Sequence, residues 1–307
     1  MKMRYNNSEE GGKSKMNEKL KRTTNVVELQ GLLMNNTLEV KKDRAGRTFV
    51  GGTLEVNTGT TDEECIVSVD IMQYELKKDG SPNELFQRAR SMMEWPSVAT
   101  RGMEEAINVS LNRGEFVDNA FYSQRSKRVI DSWQIRAAFV DKATRLAPRN
   151  NAFTVQGVVD SVKQMTDINS EPTGELRVDL LVVGFNERIL RLPMYISNPE
   201  GVKYIEENWN PGDLVTAYGE ISYEERITEI KQETAFGSGA PKRYTDIVKR
   251  LVINSGTNGK PEGEHPYERR TLLGLKNAQD RDLEERALAN HSVSAKPGQS
   301  NNPYLNF

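Results

Sequence analysis

Cysteine and histidine are almost missing from this chain of 307 residues, which contains one Cys and two His. A lone thiol, Cys65, forms no internal disulfide. Together with His265 and His291 it falls short of the four ligands of a structural zinc site. Both histidines lie in the last fifth of the chain, so residues 26 to 255 contain no imidazole. Serine-histidine and cysteine-histidine nucleophilic mechanisms thereby lose their base, and most hydrolase chemistry goes with them. Long apolar runs are missing too. The longest wholly aliphatic stretch is Leu180 to Val183, and the N-terminus lacks the apolar centre of a signal peptide. A soluble cytoplasmic protein with a reduced thiol is expected, with no membrane contact.

The charge balance is close to neutral, 42 Lys and Arg against 44 Asp and Glu, but it is unevenly spread. Residues 1 to 25 are net +4, residues 26 to 150 net −1, residues 151 to 255 net −5, and the remainder net zero. The first segment has no apolar period and reads as a basic disordered arm. From Ser255 onward Gly, Pro and charge accumulate, which predicts the end of packed structure and a flexible tail. Leu272, Leu273, Leu275, Leu283 and Leu288 allow one transient helix within that tail.

Between these termini the apolar pattern is mainly that of strands. Val26 to Met34, Thr48 to Val56 and Ile66 to Tyr74 are β-branched runs, followed by a helical segment from Pro82 to Trp95 and by strands near Ile107 to Phe116 and Val129 to Val140. The order then recurs. Phe153 to Val162, Glu175 to Phe185 and Arg188 to Ile196 precede a helix opened by Asn198 and Pro199, and strands over Leu214 to Tyr223 and Tyr244 to Ile253 follow. "VVELQGLL" at 26 to 33 matches "AFTVQGVV" at 152 to 159, an offset of 126 residues. Repetition at this scale predicts two copies of one domain.

Five strands with a helix between the third and fourth are the order of the OB barrel. Gly31 and Gly157, late in each first strand, suit the sharp bend that lets one strand pair with both halves of such a barrel. The expected architecture is mainly β: an arm over 1–25, OB-like barrels over 26–148 and 149–255, and a tail over 256–307. A β-sandwich competes, but it needs no helix at the same place in both halves.

The phrases "NVVELQGLL", "VIDSWQIRAAFVDK", "FTVQGVV", "NWNPGDLVTAYGEI" and "YTDIVKRLVINSG" resemble the OB-fold single-stranded-DNA-binding replication proteins, especially those of bacteriophages of Gram-positive bacteria. The resemblance implies single-stranded DNA as the ligand, no cofactor and no catalysis. It also implies recruitment of replication proteins through the tail, with Tyr304, Leu305 and Phe307 as docking residues. Bacterial relatives close on an acidic tip ending in Pro-Phe. Here Phe307 is terminal, yet residues 291 to 307 contain no Asp or Glu.

Unpaired strands are gripped by aromatic faces that stack on bases and by cations that follow phosphates. Strand alternation selects the outward candidates. In the first barrel these are Arg47, Phe49, Tyr74 and Lys77, with Arg125, Lys127 and Arg128 before the fifth strand; in the second they are Arg177, Arg191, Tyr195 and Tyr218. Each has a plainer reading, as an aromatic packed under a loop or a solvated charge. Trp133 shares a face with Ile135, Ala137 and Phe139, which makes it a core residue.

Two other motifs fail. "GGKS" at 11 to 14 lacks the first Gly and the preceding strand of a phosphate-binding loop. Asp160, Asp167, Glu175 and Asp179 have no defined metal-ligand spacing, which leaves a carboxylate-metal nuclease as a remote alternative. The main rival is an adaptor that uses the barrels to bind protein, favoured by the acidic second half.

Overall fold

The structure, a computed structural model, describes residues 20–59, 64–144, 148–167, 170–230, 233–234, 237–238 and 242–294. Most of the predicted basic arm, the "GGKS" segment and Tyr304, Leu305 and Phe307 lie outside the described residues. No helix among the described residues is long and apolar enough to cross a membrane.

The first half contains β1 (Asn25–Asn36), β2 (Glu39–Lys42), β3 (Thr48–Asn57), β4 (Ile66–Tyr74), α1 (Glu84–Met92), α2 (Val98–Arg101), β5 (Asn108–Asp118), β6 (Phe121–Ser123), β7 (Arg128–Ile130), β8 (Trp133–Ala137) and β9 (Asp141–Ala143). Alternation drives it: Val27, Leu29 and Leu33 of β1, Val67, Val69 and Ile71 of β4, and Phe116 and Ile135 are buried together. Asn25 locks β1 onto β5 by donating Nδ2 to the Phe116 carbonyl at 2.8 Å and accepting its N–H at 3.0 Å. The pairings run β1–β3–β4–β8–β5 and return to β1, a closed ring in which only β4 and β8 are parallel. This is the OB strand order, with α1 and α2 in the expected interval. Asn83 caps α1 by accepting the Leu85 N–H, so Pro82 lies just outside the first turn. Phe86, Ala89 and Met92 face the core.

The second half contains β10 (Asn150–Thr166), β11 (Pro172–Val183), β12 (Ile189–Ile196), α3 (Pro199–Asn208), β13 (Leu214–Ile230), β14 (Glu233–Thr234), β15 (Gly237–Ser238), β16 (Lys242–Gly256) and α4 (Arg269–Ser294). Its ring runs β10–β11–β12–β16–β13 and back to β10, with β12 and β16 parallel. Strands β13 and β16 stay paired as far as Ile230 opposite Lys242, well past the barrel.

The rings are joined through their first strands. β1 pairs antiparallel with β10, from Asn25 opposite Val155 to Gln30 opposite Asn150. Immediately after this segment β1 passes from β10 to β3, and Gly31 stands at the handover. A Cβ there would sit 2.1 Å from the Asn57 carbonyl oxygen, so glycine is needed for backbone to approach backbone. Gly157 occupies the corresponding handover of β10 from β1 to β11.

The C-terminal segment departs from expectation. It is no loose tail: α4 lies on the outer face of the second ring, where Tyr267 and Leu272 are buried against Val158, Leu181, Val183 and Ile189. Those strand residues point away from their barrel core, and covering them is what draws the helix down. Burying Leu272 alone contributes roughly 2 kcal/mol. Lys276, fully buried one turn on, meets Asp131 at 2.6 Å and Asp280 at 2.5 Å. Asp131 belongs to the first half and also meets Arg191 of β12 at 3.3 Å. Arg191 in turn reaches Asp160 at 3.2 Å, which accepts two bonds from Arg269 of α4. A chain of alternating charges thus ties both rings and the helix together.

Two outcomes follow from this packing. Gly31→Ala is expected to lower stability by about 1–3 kcal/mol, since the neighbour it strikes is backbone. Gly274→Ala in α4, with open space around it, should be neutral or stabilise by up to about 1 kcal/mol. Urea midpoints of the two variants check this. Lys276→Met is expected to cost about 2–3 kcal/mol. That is below the ~3–5 kcal/mol of fully buried pairs, because Asp131 and Asp280 keep 31% and 25% of their side chains exposed. Burial opposes the Lys276 charge, but its two carboxylates prevail and raise its pKa above the ordinary 10.5. The contribution is therefore complete below that ordinary value and lost as pH climbs through the raised one. Denaturant midpoints at neutral and strongly alkaline pH should show the gap between wild type and Lys276→Met closing.

Candidate nucleic-acid interface

Four of the predicted residues come together at one end of the first ring. Phe49 of β3 lies directly opposite Tyr74 of β4, with ring centroids 5.5 Å apart and planes tilted by 46°. The Phe49 ring lies over Gly51, whose missing side chain makes room for it; a Cβ there would be 2.6 Å from the ring. The Arg47 guanidinium sits 4.7 Å from the Tyr74 ring centre. It is positioned by Asp43 across the β2–β3 turn, which takes the Arg47 Nε bond at 2.8 Å and the N–H groups of Ala45 and Arg47 at 2.9 Å. The Arg47 N–H first, and then its guanidinium and the Ala45 N–H, hold the Asp43 carboxyl below its ordinary pKa despite some desolvation. Lys77 and Lys78 join Arg47 and Tyr74 around a cleft of about 490 Å³ between this turn and the loop before α1. A half-buried ring pair beside three cations is suited to a stacked base and its phosphates.

Arg125, Lys127 and Arg128 form the exposed turn of the β6–β7 hairpin, inserted before β8. Lys127 takes a left-handed φ of 53° at the tip. Arg128 borders a shallow cleft against Asn277, Asp280 and Arg281 of α4. The hairpin is separate from the Tyr74 cluster.

In the second ring Arg177 and Tyr195 are register partners on β11 and β12. Arg250 of β16, which the sequence reading missed, lies 4.4 Å from the Tyr195 ring centre and bonds Glu175 at 2.8 and 3.1 Å. The same alternation turns it out of the barrel core, since Leu251 and Ile253 are buried, although its side chain keeps only 16% of its surface exposed. Arg177 Nε donates to Asp179 at 2.8 Å. Burial weighs against the Arg177 charge, but Asp179 outweighs it and raises its pKa. Arg191 faces the seam, held by Asp131 and Asp160, instead of joining Arg177. Tyr218, 41% exposed on β13, is separated from Tyr195 by β16.

Between the rings a groove of about 580 Å³ crosses the outer face of β3, β4 and β8, where Glu55 and Asp70 face Lys249 of β16. The middle of this face is therefore not cationic. Trp133 has a double role: it packs edge-on against Phe116 at 5.0 Å, as its core pattern predicts, and also lines the groove. Three of the four carboxylates considered for metal binding are engaged by cations, Asp160 by Arg191 and Arg269, Glu175 by Arg250, and Asp179 by Arg177, while Asp167 accepts the Glu171 N–H at 2.9 Å.

Comparison with known proteins places this geometry. The crystal structure of the wild-type single-stranded DNA binding protein from Thermus aquaticus is similar over 81% of this chain and 97% of its own, with a TM-score of 0.50 and 14% identity. A deletion and substitution mutant of that protein matches at a TM-score of 0.46 and 13% identity, over 78% and 97% of the two chains. At such identity the likeness is one of fold. No curated protein matches the sequence. The YorF family model matches residues 23–287, which span both rings and most of α4, and the chain belongs to the YorF family.

Proposed function

We propose that this chain is a non-enzymatic, sequence-tolerant binder of single-stranded DNA, protecting strands exposed in replication or recombination. The observation that carries the reading is the Arg47–Tyr74–Phe49 cluster with Lys77: rings paired across two strands and a guanidinium anchored beside them, at the end of an OB-type barrel. The Thermus aquaticus protein of similar fold is a single-stranded DNA binder by its name, which supports the same ligand here.

The two rings are two copies of one OB fold on this reading. Two independent relations support it. The sequence match sets residue 27 equivalent to residue 153, and in the β1–β10 ladder Val27 lies opposite Phe153. Asn25 then faces the equivalent of Leu29, and Leu29 the equivalent of Asn25, which is the self-complementary pairing of a twofold axis. Arg177, Tyr195 and Arg250 form the second copy's contact. The resemblance also supports a bacteriophage origin, action in the host cytoplasm, and docking of replication proteins at Tyr304, Leu305 and Phe307.

Glu55 and Asp70 in the inter-ring groove favour a second reading, a protein adaptor without DNA binding. Pull-downs after nuclease treatment separate the two, since a DNA binder loses most of its companions.

Titration of a labelled mixed-sequence oligonucleotide tests the proposal. If about four phosphates are neutralised, raising salt from about 50 to about 200 mM should weaken binding roughly 50-fold. Replacing Phe49, Tyr74, Tyr195 and Tyr218 together by Ala should remove most of the affinity while leaving the thermal transition in place. Unchanged affinity rules out stacking on these rings. Magnesium-dependent strand cleavage would point to a nuclease.

A further inference from the structure

Resting on the single-stranded-DNA reading, we propose a further stacking site at the β11–β12 turn, with Phe185 as platform for an unpaired base and Arg22 and Arg188 as its phosphate contacts. Phe185 is 61% exposed, the largest exposure of any aromatic side chain among the described residues. A single exposed apolar ring is unremarkable by itself. What singles this one out is how it is held and what surrounds it.

The turn is built from two consecutive left-handed residues that are not glycine, Asn186 at φ 54° and Glu187 at φ 58°. Glutamate rarely takes this conformation, and it persists only where neighbours enforce it. Here Gly184 N–H bonds the Arg188 carbonyl at 2.7 Å, Arg188 N–H bonds the Phe185 carbonyl at 3.3 Å, and the Glu187 carboxylate receives the Leu20 N–H at 3.1 Å. The turn therefore presents Phe185 on a stiff support, so little conformational freedom is lost when a base stacks on it.

Two guanidiniums flank the ring, each beside a carboxylate. The Arg22 guanidinium lies 5.8 Å from the Phe185 ring centre. It is carried there by Thr23, which exchanges two 3.1 Å bonds with Val183: its N–H to the Val183 carbonyl, and the Val183 N–H to its Oγ1. Arg188, on the other side of the turn, is 63% exposed and only 3.9 Å from Asp118, while Arg22 pairs with Glu115. The Arg22–Glu115 pair is a weak surface pair, and Arg188 meets the largely buried Asp118 only at the outer limit of an ion pair, so a phosphate competes for either guanidinium. Asp118 ends β5, which runs on into Phe121, itself 52% exposed, and then into the hairpin of Arg125, Lys127 and Arg128. The new platform therefore lies along the chain path to those cations, which the Tyr74 cluster does not reach.

The full-length protein, Phe185→Ala and Phe185→Trp are compared in titrations with an unstructured mixed-sequence DNA oligonucleotide. Photo-crosslinking to the same oligonucleotide carrying 5-iodouracil, read by peptide mass spectrometry, accompanies them. Phe185→Ala should bind at least about fivefold more weakly with an unchanged thermal transition, Phe185→Trp should restore affinity, and an adduct should map to Phe185. Wild-type affinity in Phe185→Ala, with adducts only elsewhere, overturns this site and leaves the DNA-binding reading standing. Loss of a protein companion from pull-downs of Phe185→Ala, with DNA affinity unchanged, overturns it in favour of a protein ligand. No binding by the wild-type chain ends both.

Discussion

The antiparallel contact between β1 and β10 is the constraint on which the molecule depends. Each first strand serves three neighbours. β1 meets β10 and β5 over its first half and β3 over its second; β10 meets β1 and β13, then β11. A strand that closes its own barrel and also holds the adjacent one cannot be displaced without opening both. Gly31 and Gly157 stand at the two handovers, and register shifts between Leu33 and Asn35 and between Val159 and Ser161 follow just beyond them.

The second organising feature is the division of cations between structure and surface. Arg191, Lys276 and Arg269 are bound into the alternating chain with Asp131 and Asp160 and fasten α4 across both rings. Arg47 and Lys77 project into solvent beside the half-buried Phe49 and Tyr74 rings, and the β6–β7 hairpin cations near the exposed Phe121. This division answers the objection raised by a net negative second half. Charges farther apart than about 8 Å are screened at physiological salt, so local placement governs phosphate binding more than the total does. Glu55 and Asp70 show the cost of that arrangement: at the centre of the outer face two carboxylates face Lys249, and the Arg47 and hairpin cations lie away from it.

The strand order was legible because alternation of buried and exposed residues is a local signal. Val67, Val69 and Ile71 must face one way, and Phe49 and Tyr74 therefore face the other. The helix between third and fourth strands announced itself through Asn198 and Pro199, and through Leu85, Phe86 and Ala89. The fate of α4 was not legible. Leu272 and Tyr267 are few and widely spaced, and what they bury against, Leu181, Val183 and Ile189, appears within continuous apolar strands where inward and outward residues are alike in type. Arg191 was selected as outward by correct alternation, but its partner Asp131 lies 60 residues away, beyond any local pattern. Phe185 escaped for a related reason: as the end of an apolar run it looks like core until the turn that follows is seen to reverse the chain.

Hydrogen exchange of the intact protein, with and without a saturating unstructured DNA oligonucleotide, tests most directly the claim that the ring ends grip an unpaired strand. The account predicts slowed exchange at the 43–49 turn, at residues 74–78 and at the 123–128 hairpin, with β1 and β10 already protected without DNA. Exchange unchanged at all three segments, or slowed only along the Glu55 and Asp70 groove, would contradict it.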